Sequence, residues 1–173
     1  MGTIETAYML EPYADYLVAS EEYEPGTGWY YSEWLKNLSD NTSMPTVEIG
    51  KKIVEDYING PDSSFFDSNT LSIVDLREIP YTYSKLCETM QQEEGVLDSR
   101  YSVISQARYN AKSFGDGEYE QIDIKSYLEE CGKSDTELDK VLRSAVKYSG
   151  SSSYNSNGLA MYLSLIHISE PTR

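Results

Sequence analysis

Short apolar runs alternate along the chain with stripes spaced three or four residues apart. Tyr16-Leu17-Val18-Ala19-Ser20 and Thr70-Leu71-Ser72-Ile73-Val74-Asp75-Leu76 are continuous and strand-sized, which suits strands covered on both faces of a parallel sheet. Gly158-Leu159-Ala160-Met161-Tyr162 opens a third strand. Helical spacing runs from Thr3 to about Tyr13, with Ile4, Ala7 and Tyr8 on one face, Gly2 or Thr3 at the cap and Glu5 in the first turn. A second helix opens at Thr46, carries Val47, Ile49, Ile53, Val54, Tyr57 and Ile58, and closes at Gly60-Pro61. A third spans Asp98 to Ala111. A fourth follows the capping box Ser134-Asp135-Thr136-Glu137, with Leu138, Val141, Leu142, Ala145 and Val146 in its stripe. The segment from Lys147 to Asn157 reads as a polar loop. Helix followed at once by buried strand is half of a βαβ unit, so the pattern predicts an α/β fold with a mostly parallel sheet and flanking helices.

The loop after the first strand carries the candidate chemistry. Glu21, Glu22 and Glu24 are interleaved with Tyr23, Trp29, Tyr30 and Tyr31 around Gly26-Thr27-Gly28. In open α/β sheets ligands bind outside the carboxyl ends of strands. Carboxylates and aromatic rings together can hold a cationic side chain by ion pairing and cation-π contact. The same residues also suit a solvated acidic turn anchored on the core by Trp29. Asp75, at the end of the second strand, suits a turn cap. Sixteen tyrosines fit the boundary of a modest core without any functional demand.

Charge and composition narrow the chemistry. Fourteen Lys and Arg against 29 Asp and Glu leave a formal charge of −15 over 173 residues, which argues against a phosphate backbone as partner. Such a field favours a basic peptide or a cation. No apolar run approaches the roughly 20 residues of a membrane-spanning helix. Cys87 and Cys131 stand in no metal-ligand spacing and read as free, half-buried thiols. Asp40, Asp62, Asp67, Asp116 and Glu118 offer loop oxygens without a calcium-binding spacing, so no metal site is predicted. The closing residues 163–173, LSLIHISEPTR, equal the translation of a common transposase sequencing adapter and are read as a non-native tail. His167, the one histidine, lies in that tail. Residues 1–162 then contain no imidazole to activate a nucleophile.

The strings Met1-Gly2-Thr3-Ile4-Glu5-Thr6-Ala7-Tyr8, Ala14-Asp15-Tyr16-Leu17-Val18-Ala19-Ser20-Glu21-Glu22 and Glu24-Pro25-Gly26-Thr27-Gly28-Trp29-Tyr30-Tyr31 closely resemble the clostripain-type cysteine peptidases. In that family they follow an Asp-Ala-Cys-Leu motif whose cysteine is the nucleophile. Gly158-Leu159-Ala160-Met161-Tyr162 is similar to the family's Gly-Leu-Ser-Ile-Tyr strand. The resemblance implies part of a caspase/gingipain-like three-layer α/β sandwich, with residues 1–162 its carboxy-side portion and core strands expected upstream. It implies cleavage after Arg or Lys by a Cys-His dyad lying before Met1, so that this stretch by itself is expected to be inactive. It also implies a bacterial, secreted or cell-surface parent and a peptide or protein substrate with basic residues. No cofactor is expected, and calcium enters only through the resemblance. Ser20, Glu21, Glu22 and Thr27 are the implied substrate-binding residues, with Trp29 as wall or scaffold. Some relatives carry an acid where Thr27 stands. The competing expectation is a non-catalytic acidic module that binds basic peptides through residues 21–29.

Overall fold

The computed structural model describes residues 2–24, 26, 28–60, 69–95, 97–115, 120–152 and 156–164. Helix α1 (Ile4–Leu10) is capped by Thr3, whose Oγ1 accepts the Thr6 N–H at 3.2 Å. After a 3-10 turn the chain enters β1 (Tyr16–Ala19), then α2 (Ser32–Asp40) and α3 (Thr46–Asn59), which ends at Gly60. Strand β2 (Thr70–Asp75) leads through a second 3-10 turn into α4 (Ile79–Glu94) and α5 (Leu97–Asn110). A short stretch of β3 (Ser113–Phe114), β4 (Gln121–Asp123) and α6 (Ile124–Glu130) follows. The last elements are α7 (Glu137–Ala145), β5 (Val146–Ser151) and β6 (Ala160–Tyr162).

The strands form two three-stranded sheets, β1-β2-β5 and β3-β4-β6. All four registered pairs are antiparallel, with Leu17 opposite Val74, Ile73 opposite Tyr148 and Ile122 opposite Met161. The mostly parallel pairing expected from the apolar runs is therefore corrected within these strands. A continuous apolar run reports burial on both faces and carries no information on strand direction. One isolated parallel bridge pairs Thr3, the residue before α1, with Ala160 of β6. Beside it Gly2 donates to the Ser20 carbonyl at 2.6 Å and accepts from the Ala160 N–H at 2.9 Å.

Each residue of β2 is buried. On one face Leu71 joins Val54 and Tyr57 of α3, and Ile53, Ile58, Trp29 and Tyr148 pack around them. On the other, Val74 belongs to the larger core with Ile4 and Ala7 of α1, Ile79 and Leu86 of α4, and Leu138, Leu142 and Ala145 of α7. The layers are helix, sheet and helix. Gly50 lets α3 sit close, since a Cβ there would meet Ile73 Cγ1 at 3.0 Å.

Other expectations shift by a few residues. Helix α5 covers 97–110 where 98–111 was expected. The α7 cap is Thr136, whose Oγ1 accepts the Asp139 N–H at 3.4 Å, and Val146 leaves the helical stripe to begin β5. The segment read as a loop from Lys147 thus starts as an edge strand, half-buried and rich in Ser and Gly. Pro61, Thr27 and residues 165–173, with His167, lie outside the described residues. Both cysteines are free, Cys87 half-buried and Cys131 buried. Among the described residues no helix is long and apolar enough to cross a membrane.

Asp75 closes β2 as a turn cap, its Oδ1 accepting the Arg77 N–H at 3.2 Å. Its carboxylate also pairs with Arg77 at 2.9 Å and Lys147 at 3.5 Å. The Arg77 hydrogen bond holds this carboxyl below its ordinary value of 3.8, against the effect of burial. A carboxyl depressed in the folded state contributes stability that is present above 3.8 and lost as the pH falls through its lower folded value. Asp75→Asn should lower stability by about 1–2 kcal/mol at pH 7. In urea titrations down to pH 2, about the acid limit of a hydrogen-bonded carboxylate, the wild-type loss should exceed that of the variant.

Candidate functional site

The turn after β1 is built on one hydroxyl. Thr70 Oγ1 accepts the N–H of Glu21 at 3.0 Å and of Glu22 at 3.1 Å, and lies 2.9 Å from Ser20 Oγ. Both Thr70 lone pairs are taken by these amides, so its O–H donates to Ser20. Ser20 Oγ in turn accepts the Glu22 N–H at 3.1 Å. Ser20 and Thr70 are both buried. The first residue of β2 thus sets the direction in which the candidate loop leaves the sheet.

The three loop carboxylates go to three places. Glu21 is buried, and its Oε2 accepts the Gly158 N–H at 2.9 Å. Glu22 is half-buried, and its Oε1 accepts from Tyr23 N and Gly115 N, both at 2.9 Å. Glu24 is exposed, and its Oε2 accepts the Trp29 indole N–H at 2.7 Å. Trp29 packs against the Val54, Tyr57 and Leu71 cluster. The Tyr57 hydroxyl is pushed up to about 12 by burial and by the nearby charge of Glu24, so it stays a neutral phenol. The structure therefore joins Ser20, Glu21 and Glu22 to the scaffold and leaves Glu24 exposed, hydrogen-bonded to the half-buried Trp29. Thr27 lies outside the described residues.

Three partners of this site had no distinct signal in the sequence: Thr70, Asp123 and the Asn157-Gly158 pair. Asp123 caps α6, its Oδ1 accepting the Ser126 N–H at 2.7 Å. Gly158 has φ +98°, and a Cβ there would lie 2.8 Å from Ser72 Cβ, so the close approach and the left-handed backbone both require glycine. A cleft of about 330 Å³ shares Asn157 with this region and is lined by Lys125, Arg143, Tyr148, Ser149 and Leu159. Its cations are held by neighbours, Lys125 by Asn157 at 3.1 Å and Arg143 by Asp139 at 2.6 Å. Among the described residues no group of three or more His, Cys, Asp or Glu converges to hold a metal ion.

An α/β sandwich with an acidic and aromatic turn at a strand end is the class these features define. Residues 1–139 match the model of the clostripain family, and the chain belongs to that family. No curated protein sequence matches it. Its fold is similar to that of a secreted C11 cysteine protease from Bacteroides thetaiotaomicron in complex with an irreversible peptide inhibitor. The TM-score is 0.64 at 14% identity, over 94% of this chain and 49% of that one. A clostripain from Bacteroides thetaiotaomicron in complex with peptide inhibitor BTN-VLTK-AOMK gives 0.58 at 14%, over 94% and 74%. An inactive zymogen C11 protease from Parabacteroides distasonis gives 0.57 at 12%, over 97% and 52%. The chain spans about half the length of the first of these.

Thr70→Val would strip the buried Glu21 N–H of its acceptor and leave the Glu22 N–H only Ser20 Oγ, at a cost of about 1–3 kcal/mol. Thr70→Ser should retain most of the wild-type stability. Hydrogen exchange at the Glu21 amide checks the assignment, because only the valine variant should release it.

Proposed function

We propose that this chain is the carboxy-side part of a cysteine endopeptidase that cleaves peptide bonds after Arg or Lys. Membership of the clostripain family over residues 1–139 is the observation that carries the reading. The reaction needs a thiolate to attack the scissile carbonyl and an imidazole to take the thiol proton and return it to the leaving amine. The resulting thioester is then hydrolysed by water, and the chemistry requires no cofactor. Neither cysteine of this chain suits the role. Cys131 is buried, and burial pushes its thiol up, away from the thiolate. Cys87 is half-buried, and no histidine lies among the described residues. The nucleophile and its histidine are therefore assigned to the parent protein outside these 173 residues, and the chain alone is expected not to turn over substrate.

What this chain contributes is one wall of the pocket for the cleaved residue. Ser20 and Glu22 shape the turn, Glu21 supports it from beneath, and Trp29 flanks the opening, with Thr27 a further candidate by the family resemblance. Glu24, exposed beside the Trp29 indole, supplies the carboxylate that a basic side chain would meet. The clostripain inhibitor BTN-VLTK-AOMK carries a lysine next to its AOMK group, which supports a basic preference here. Secretion is proposed by the same kinship, one neighbour being described as a secreted protease.

Treating the parent protein with a lysine acyloxymethyl ketone probe tests this. Mass spectrometry should place the adduct on a cysteine outside these 173 residues, and Glu24→Gln should lower kcat/KM on lysyl peptides roughly tenfold, about 1.4 kcal/mol. Peptide binding without any adduct would identify the non-catalytic acidic module instead.

A further inference from the structure

Asn157 and Gly158 are consecutive, and their backbone N–H groups end on two different acids. Asn157 N donates to Asp123 Oδ2 at 2.5 Å, and Gly158 N donates to Glu21 Oε2 at 2.9 Å. Neighbouring Cα atoms lie about 3.8 Å apart, so the two carboxyl groups are brought side by side. Both are withdrawn from water, with 1% of Glu21 and 0% of Asp123 exposed. Asp123 Oδ1 also accepts the Ser126 N–H at 2.7 Å and the Asn157 side-chain amide at 3.0 Å. Glu21 Oε1, by contrast, receives no donor among the described residues. Neither acid joins an ion pair there.

Two carboxyl groups held side by side on consecutive N–H groups, buried and without a cation, do not both ionise, and one keeps its proton. We propose that Glu21 carries that proton at neutral pH, donates it from Oε1 to Asp123, and is the positioning residue that locks residues 20–24 to the segment leading into β6. Both Glu21 oxygens are then used, Oε2 as acceptor and Oε1 as donor. Asp123, with three N–H donors, is the better placed of the two to hold the negative charge. Burial first, and then the charge of Asp123, push Glu21 well up, in agreement with this assignment. The charged groups around the pair are Lys112 before β3, whose charge opposes the proton, Lys125 of α6, which reaches Asn157, and Glu22, which is tied to Gly115. The other neighbours, Thr70 and Ser72 of β2, offer only hydroxyl groups. The proton assignment rests on the fold alone, and its bearing on substrate recognition rests on the peptidase reading.

Infrared spectra of the 173-residue chain at pH 7 test the assignment. Wild type should show the carbonyl band of a protonated carboxyl group, lost in Glu21→Gln and kept in Glu22→Gln. The glutamine retains an acceptor for Gly158 and a donor for Asp123, so exchange at the Gly158 amide should stay within about twofold, whereas Glu21→Ala should raise it about tenfold or more. Folded Glu21 keeps its proton where the unfolded chain, with the ordinary value of 4.5, has released it. Folding then takes up a proton, and wild type should lose stability relative to Glu21→Gln as the pH rises above 4.5. Absence of the acid band from wild type, or parallel stability profiles, overturns the proposal. Neither result bears on whether a cysteine elsewhere in the parent is trapped by the ketone probe.

Discussion

Strand β2 has no face toward water. From Thr70 to Asp75 each residue is buried, so its peptide groups need partners on both edges and its side chains need cover on both faces. Antiparallel β1 and β5 supply the edges, α3 covers one face, and the core of α1, α4 and α7 covers the other. The polar residues at its ends are turned to local tasks. Thr70 organises the turn that leaves β1, and Asp75 gathers Arg77 and Lys147. The candidate loop that leaves β1 is therefore anchored on this fully buried strand through Thr70.

A chain with a formal charge of −15 still places several acids inside, and it neutralises them in different ways. Asp75 takes two cations, Glu93 pairs with Arg100 and Lys133, and Asp139 pairs with Arg143 one helical turn away. Glu21 and Asp123 join no ion pair among the described residues and accept instead from the consecutive N–H groups of Gly158 and Asn157. Removing one partner from any such arrangement leaves an uncompensated buried group, which costs more than the intact arrangement contributes. At the turn this logic serves position, because Glu21 reaches the chain 137 residues away at Gly158. The opening residues add a second tie, since Gly2 bridges Ser20 and Ala160.

Under the proposed reading as part of a basic-residue peptidase such a scaffold has a use. A pocket for a long basic side chain needs an exposed acid and an aromatic wall held at fixed spacing, and Glu24 with Trp29 offers both. Their mutual hydrogen bond and the packing of Trp29 on the α3 cluster restrict the rotamers that a free loop would sample.

Helix α3, the β1 and β2 runs, the Thr3 cap and the Gly60 stop were legible from residue order, because burial on one stripe or both faces leaves a periodic imprint. Helix α4 was not, since Pro80 looks like a breaker although it sits in the first turn, where its missing N–H costs nothing. Strand β5 was hidden by its Ser and Gly content, and strand direction was invisible because apolar runs record depth and not orientation. In the site, the acidic-aromatic loop and its place after β1 were readable. Which carboxylate faces outward was not: Glu21, Glu22 and Glu24 are chemically near-identical in the sequence, and only the approach of Gly158, Gly115 and Trp29 from distant or facing segments separates them. Local periodicity is written into the chain, whereas the burial of a charged group depends on partners that only folding brings within hydrogen-bonding distance.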